Sequence, residues 1–281
     1  MKNGLKRKRS SKIIHHIFLV AICIVLIYPV IWWVMATFKP ISEINLASLF
    51  AKEPTLSNFI KGWNALPRYS FTLFFFNSIK LNVTVAFLTA FSSSLVAFGF
   101  TKFDFPLKKL WFSIVLTSIM LPSQVTLISR YSMFYKLGWT DSYLPFISVS
   151  AIGVPYFIFL LIQFMKGLPR ELDNAARIDG CNWWSIYWRI VLPLSKPAVI
   201  TAFLFSFLWG WEDYMLPLVY INSINKFTVP LALGTFIDQD AGSAWGQLLA
   251  ISLLSVTPVI ILFFSAQRYF VEGIQTTGLK G

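Results

Sequence analysis

Histidine and cysteine are almost missing from this 281-residue chain, at two residues each. His15 and His16 sit side by side near a basic N-terminus, Cys23 lies in a long apolar run and Cys181 in a polar segment. So placed, they build neither a disulfide framework, nor a metal cluster, nor a histidine-based triad. No metal site is expected. A phosphate loop of the form G-x-x-x-x-G-K-[ST] is also missing, which argues against nucleotide hydrolysis by the chain itself. Nor is there an internal repeat, which speaks against the inverted repeats of many ion-coupled transporters. Acidic residues are scarce, with 12 Asp and Glu against 24 Lys and Arg.

What the chain has in excess is apolar side chains, at 56% of residues with only 13% charged. That is too apolar for a soluble domain of ordinary composition and too long for a single anchor. The net charge of +12 does not point to nucleic acid, because phosphate-binding stripes belong to soluble folds with far fewer apolar residues. Residues 2–16 carry Lys2, Lys6, Arg7, Lys8, Arg9 and Lys12 ahead of an apolar run at 17–38, which superficially resembles a secretory signal. The run is too long for a signal core and has no convincing small-residue cleavage site, so it reads as a retained helix.

A bilayer core about 30 Å thick needs about 20 mostly apolar residues per helix. Six stretches qualify, near 14–37, 77–100, 110–130, 142–165, 198–221 and 247–269. The expected fold is therefore all-α, a polytopic membrane protein of six transmembrane helices. Pro29, Pro122, Pro155, Pro217 and Pro258 fall inside or at the ends of these runs, where neighbouring helices can satisfy the backbone groups they free. Sixteen of the 24 Lys and Arg residues fall on the termini and the even-numbered connections. This bias places both termini in the cytoplasm. Ala86, Ala90, Ser93, Ser94 and Ala97 in the second span recur at helical spacing, and fit either close helix packing or the lining of a path.

The connection between the fourth and fifth spans, residues 167–197, is far longer than a turn requires, and loops of that length are usually functional. Residues 170–179 favour helix, with Glu171 and Asp173 in the first turn, where negative charge suits the helix dipole. Leu168, Leu172, Ala175 and Ala176 fall at i, i+4, i+7 and i+8, an apolar face of small residues opposite Asp173, Asn174 and Arg177. Gly180 suits a left-handed helix end. A second short aromatic helix is expected from Trp183 to Val191, separated from the fifth span by Pro193 and Pro197. On physics alone the segment is either an interfacial amphipathic hairpin or a helix built to press into another protein.

Ala175, Ala176, Asp179 and Gly180, followed by Ile190, Leu192 and Pro193, resemble the EAA coupling loop of binding-protein-dependent ABC importers, whose pattern is E-A-A-x-x-x-G and then I-x-L-P. Asn174 stands where that pattern has Glu, and Glu171 or Asp173 could supply the charge instead. The resemblance extends along nearly the whole chain. Phe38, Lys39 and Pro40 with Ser42, Glu43 and Ile44, the run from Pro54 to Phe59, and Asn77 with Ser78 are similar to the first external segment of maltose-type carbohydrate permeases. Residues 98–109 are similar to their second-to-third loop, residues 120–128 to their third span, and residues 267–274 and 278–281 to the tail of the second permease of such pairs.

The resemblance implies a type I ABC importer fold and a non-catalytic subunit forming half of a sugar pathway in a bacterial or archaeal inner membrane. It implies a single permease domain: a basic cytoplasmic N-terminus at 1–13, a core at 14–270 that includes the coupling loop, and a cytoplasmic tail at 271–281. The implied partners are a second homologous permease, two ATPase subunits that use ATP and Mg, an extracytoplasmic solute-binding protein, the sugar and membrane lipid, with no nucleic acid and no cofactor bound by this chain. Glu171, Asp173, Asn174, Ala175, Ala176, Asp179 and Gly180 would then form the ATPase contact, with Gly278, Lys280 and Gly281 reaching between the ATPase subunits. In the fifth span, Trp209, Trp211, Glu212, Asp213 and Tyr214 combine aromatic faces with carboxylates, which suits sugar C–H faces and hydroxyls, and charge at membrane depth usually faces a bundle interior or water. Asp213 fits the acidic position of the family, and Glu212 departs from it. Gate or packing roles stay open for these residues, and Gln124 beside Pro122 is a further lining candidate. A permease for peptides or amino acids, and an ion-coupled transporter working through Glu212 and Asp213, are the alternative functions.

Overall fold

In apolar surroundings a backbone must satisfy its own hydrogen bonds, and a helix does so within a single segment. The computed structural model describes residues 2–44, 46, 48–66, 68–238 and 244–278, and among these the only β-pairing is an isolated bridge between Leu66 and Tyr69. The helices are α1 (Lys2–Ala36), α2 (Ser57–Trp63), α3 (Phe71–Lys102), α4 (Lys108–Met120), α5 (Ser123–Lys136), α6 (Leu144–Ala151), α7 (Pro155–Met165), α8 (Arg170–Ile178), α9 (Trp183–Ile186), α10 (Leu192–Leu194), α11 (Lys196–Glu212), α12 (Met215–Tyr220), α13 (Val229–Asp238) and α14 (Trp245–Gly278). A π-helical stretch, Tyr187–Val191, joins α9 to α10.

Among the described residues, four segments are long and apolar enough to cross a membrane by themselves: His15–Ala36, Phe71–Lys102, Leu144–Met165 and Trp245–Gln267. Two bent pairs bring the number to six if each pair is one span. The expected unbroken third span at 110–130 is one of them, because α4 and α5 meet at 102°. The cause is local: Leu121 precedes Pro122 and is extended (φ −76°, ψ 120°), the conformation a following proline favours. Arg130 and Lys136, at and beyond the end of the expected span, consequently lie on α5.

The fifth expected span, 198–221, also differs. The continuous helix runs from Lys196 to Glu212 and is bent by 76° from the preceding segment, Trp183–Leu194. It ends at Asp213, which is extended and whose carboxylate accepts the Leu216 amide at 3.1 Å, starting α12 anew.

By internal contacts the chain forms two units, residues 1–70 with 233–257, and residues 71–232 with 258–281. In the first, α1 is exposed along nearly its whole apolar length, and the segment after it is stitched by buried polar groups. Lys39 is fully buried, with its ammonium donating to the carbonyls of Leu46 and Ser48. The Asn58 amide donates to the carbonyls of Thr37 and Lys39, both at 2.8 Å.

The second unit is organised on α3. Ala86, Ala90, Ser93, Ser94 and Ala97 are all buried, so this small-residue stripe packs helices together. Its serines complete broken neighbours: Ser92 donates to the Ser150 carbonyl at 2.7 Å, and the Val154 amide donates to Ser93 at 3.1 Å, across the interruption between α6 and α7. The Ser94 hydroxyl bonds the Tyr187 hydroxyl at 2.6 Å, tying α3 to the π-helical stretch. Around these bonds the core gathers Ala97, Phe98, Phe157, Leu161, Ile186, Tyr187 and Ala202, with Ala176 of α8 among them.

Candidate functional site

The helix α8 is short enough that its caps decide whether it forms. Glu171 and Asp173 lie in its first turn and Arg177 in its last, matching the dipole at both ends. Gly180 adopts φ +80°, the Cys181 amide donates to the Ala176 carbonyl at 2.9 Å, and the Gly180 amide to the Arg177 carbonyl at 3.1 Å. This is a Schellman ending, in which a glycine supplies the left-handed residue. Beyond it, the Asn182 side chain accepts the Ser185 amide at 2.7 Å and starts α9.

The faces of α8 are not those expected from its composition. Asp173 and Ala176, three residues apart, both turn inward and are buried. Ala176 seats in the core of its own chain, and Asp173 accepts a 2.5 Å bond from the ammonium of Lys102, the last residue of α3. The two side chains are only 6% and 9% exposed, for Lys102 and Asp173. Removing one partner from such a buried pair typically costs about 3–5 kcal/mol. The outward face holds Glu171, Leu172, Asn174, Ala175, Arg177, Ile178 and Asp179, and Ile178 is 87% exposed. Composition placed Asp173 outward because a charged side chain ordinarily faces water. Lys102, seventy-one residues earlier in the chain, is what makes its burial tolerable, and nothing local in the sequence announces it. Ile178 was missed although legible, since an isoleucine just before a polar helix end is itself unusual.

The second candidate region lies around the end of α11. A cavity of about 210 Å³ is walled by Asn82 and Thr89 of α3, Arg130 of α5, and Trp209, Asp213 and Tyr220 among others. A shallower hollow of about 370 Å³ adjoins Gln124, Glu212, Trp209 and Asp213. Trp209 and Asp213 thus border both hollows, whereas Gln124 and Glu212 border only the second. Trp211 points elsewhere: it is buried and stacked on Phe207 with ring centroids 5.6 Å apart, beside Ala86. Tyr214 is exposed and walls neither hollow. The cavity owes its shape partly to Gly210, where a Cβ would come within 2.2 Å of the Asn82 side-chain oxygen, so only glycine lets α11 approach α3 there.

Arg130 is the cation of this cavity, and the sequence did not single it out. No hydrogen bond or ion pair engages it among the described residues, and the buried Tyr220 hydroxyl beside the same cavity likewise has no partner among them. The arrangement offers a cation, a carboxylate, a hydroxyl and an indole face around one hollow. It can donate to and accept from hydroxyl groups and stack against an apolar ring face. Among the described residues, no group of three or more His, Cys, Asp or Glu side chains could hold a metal ion.

An independent match now bears on these features. Residues 90–275, which include α8, Gly180 and both hollows' α11 walls, match the family described as binding-protein-dependent transport system inner membrane component. The chain belongs to this family. Relatives along almost the full length agree: a probable ABC transporter permease protein, YurM, of Bacillus subtilis is 32% identical over 94% of this chain and 87% of its own length. The arabinooligosaccharides transport system permease protein AraQ of Halalkalibacterium halodurans is 31% identical over 92% of this chain and 93% of its own. The trehalose/maltose transport system permease protein MalG of Thermococcus litoralis is 29% identical over 98% of each. Among solved structures, a chain of a bacterial ABC transporter that imports the acidic polysaccharide alginate superposes with a TM-score of 0.81. It covers 93% of this chain and 97% of that one, and at 21% identity it shows a shared fold. The chain is thus a permease of the inner-membrane transport type, with an all-helical ABC importer fold.

Proposed function

We propose that this chain is one half of the translocation pathway of an ATP-driven importer for sugars or oligosaccharides. The other half is a similar but non-identical permease, two ATPase subunits supply the energy from ATP and Mg, and an extracytoplasmic binding protein delivers the sugar. Both termini and α8 then lie on the cytoplasmic side, a placement that the distribution of Lys and Arg supports. The sugar assignment draws support from relatives named for arabinooligosaccharides, galactooligosaccharides, and trehalose and maltose, and from the mixed polar and aromatic walls around Trp209 and Asp213.

The observation that carries the coupling role is the outward face of α8. It is held rigidly at its inner side yet presents Leu172, Ala175 and Ile178 to solvent, flanked by Glu171, Asn174 and Asp179. Small and apolar residues on a firmly seated helix suit a cleft on another protein. Asn174 offers a neutral hydrogen-bonding amide where relatives of the pattern carry a carboxylate, so the contact relies more on Ile178 and less on a charge pair. Within the pathway, Trp209 and Asp213 form the shared wall, Gln124 and Glu212 border one side of it, and Arg130 the other. In the tail, Gly278 closes α14, while Lys280 and Gly281 lie outside the described residues; all three keep their proposed place between the ATPase subunits.

For the mechanism to do work, the nucleotide-bound ATPase pair must hold α8 better in one arrangement of the permease than in the other. The test is to purify the assembled complex carrying Ile178→Glu. Expected is a loss of ATPase subunits from the purified complex by about tenfold or more, the consequence of a desolvated charge at a contact centre. Unaltered ATPase content with normal sugar-stimulated ATP turnover would refute the docking role.

A further inference from the structure

The spans of this protein differ in stiffness. Proline lies inside α1 at Pro29 and inside α14 at Pro258, where each removes a helical hydrogen bond. The pair α4 and α5 is bent, the stretch between α6 and α7 is interrupted, and α11 is bent from the segment before it. Among the described residues, α3 alone is a continuous 32-residue helix of spanning length without proline.

At one end of this rod stands Lys102, bonded to Asp173 of α8 at 2.5 Å with both side chains nearly buried. Twenty positions earlier, about 30 Å along the axis at 1.5 Å per residue, Asn82 walls the cavity and packs against Gly210 of α11. Between them, Ser92 and Ser93 hold the interrupted fourth span at Ser150 and Val154, both of which also wall the cavity. A displacement of α8 along the Lys102–Asp173 bond therefore reaches both sides of the cavity through one stiff element.

We propose that the Lys102–Asp173 pair is the strut that transmits movement of α8 to the pathway, with Lys102 and Asp173 acting as positioning residues. The inference rests on α8 being the ATPase-docking helix. Apolar contacts alone let a helix slide across its neighbour, since they have little directional preference. A short charge-assisted hydrogen bond fixes both distance and direction. The strut also explains why Asp173 faces inward: its role is toward its own chain, leaving Asn174 and Ile178 for the partner. Ala176 seats α8 independently, so loss of the charges need not unseat the helix.

The experiment uses the full complex in nanodiscs, with Cys23→Ser and Cys181→Ser as background and Gln124→Cys as reporter in the shallow hollow. The rate of labelling by a membrane-impermeant maleimide is measured with and without ATP and vanadate, alongside ATP turnover. The double variant Lys102→Met/Asp173→Leu replaces the pair by apolar side chains of similar bulk, and Lys102→Arg preserves the charge. The labelling change per ATP turned over is expected to fall about fivefold or more in the apolar pair, while the ATPase subunits still co-purify. It is expected to stay within about twofold of the parent in Lys102→Arg, which retains the charge-assisted bond.

An apolar pair that couples as well as the parent overturns the proposal, as does loss of the ATPase subunits from the apolar pair, which makes the charges a docking device. Should the double variant fail to insert, Asp173→Asn is read by the same criteria. Absence of any ATP-dependent labelling change in the parent counts instead against α8 as the docking helix.

Discussion

Two adjacent alanines on α8 have opposite surroundings. Ala175 is exposed, while Ala176 is buried beside Phe98, Ile186 and Tyr187. Adding bulk at position 176 must therefore displace the chain's own core, and overpacking of that kind typically costs about 1–3 kcal/mol. Ala176→Trp is expected to lower the thermal unfolding midpoint of the detergent-purified chain, and Ala175→Trp to leave it near the parent value. Equal midpoints for the two would contradict the face assignment. At this scale the sequence pattern was informative about residue types but not about direction: Gly180 ends the helix as its position predicted, whereas Asp173 and Ala176 face a partner that lies elsewhere in the chain.

Elements are joined here by polar groups at their breaks. The turn before α6 is one such joint, where Asp141 takes a left-handed conformation (φ +53°) that non-glycine residues seldom adopt. Its carboxylate accepts the Ser223 hydroxyl at 2.6 Å, the amides of Ser223 and Asn222 at 2.8 and 3.0 Å, and the Lys226 ammonium at 2.9 Å. Tyr143 donates to the Lys226 carbonyl at 2.9 Å, and burial, with Asp141 nearby, pushes its phenol up to about 12. The Ser223 hydroxyl and amide first, then Lys226, hold the Asp141 carboxyl well below the usual carboxylate range.

Because the folded value is depressed, the stabilisation is complete above the unfolded carboxylate's value of about 4 and is lost only as pH falls through the lower folded value. Asp141→Asn is expected to lower the unfolding midpoint at neutral pH, with the gap to the parent narrowing as the pH drops below about 4. A gap that stays constant down to strongly acid conditions would assign the effect to shape rather than charge. None of this joint was apparent beforehand, since Asp141 and Ser223 are eighty-two residues apart and each looks like an ordinary loop residue.

For the molecule as a whole, the asymmetry of Lys and Arg predicts which loops face which side, and topology can be mapped directly. Single cysteines at Tyr135 and Arg170, introduced one at a time into the Cys23→Ser, Cys181→Ser background, are expected to label from opposite sides of sealed right-side-out vesicles. The Tyr135→Cys variant should react with an impermeant reagent from outside, and Arg170→Cys only after permeabilisation. Reaction of both from the same side would overturn the orientation and with it the cytoplasmic place of α8.

The sequence by itself determined the helical membrane class, the six apolar stretches, the position and end of α8, and the resemblance that family membership then confirmed. These depend on composition and short-range spacing, because hydrocarbon thickness sets span length and a helix cap is decided within a few residues. Only the tertiary structure decided that the third span breaks at Leu121 and Pro122, that Trp209 and Asp213 share a cavity with Arg130 while Trp211 packs away from it, and that Asp173 is bound to Lys102. The physical reason is common to all three. A bend angle, a cavity wall and a buried ion pair are set by which distant residues meet, and the burial of a charge becomes affordable only where the fold brings its counter-charge.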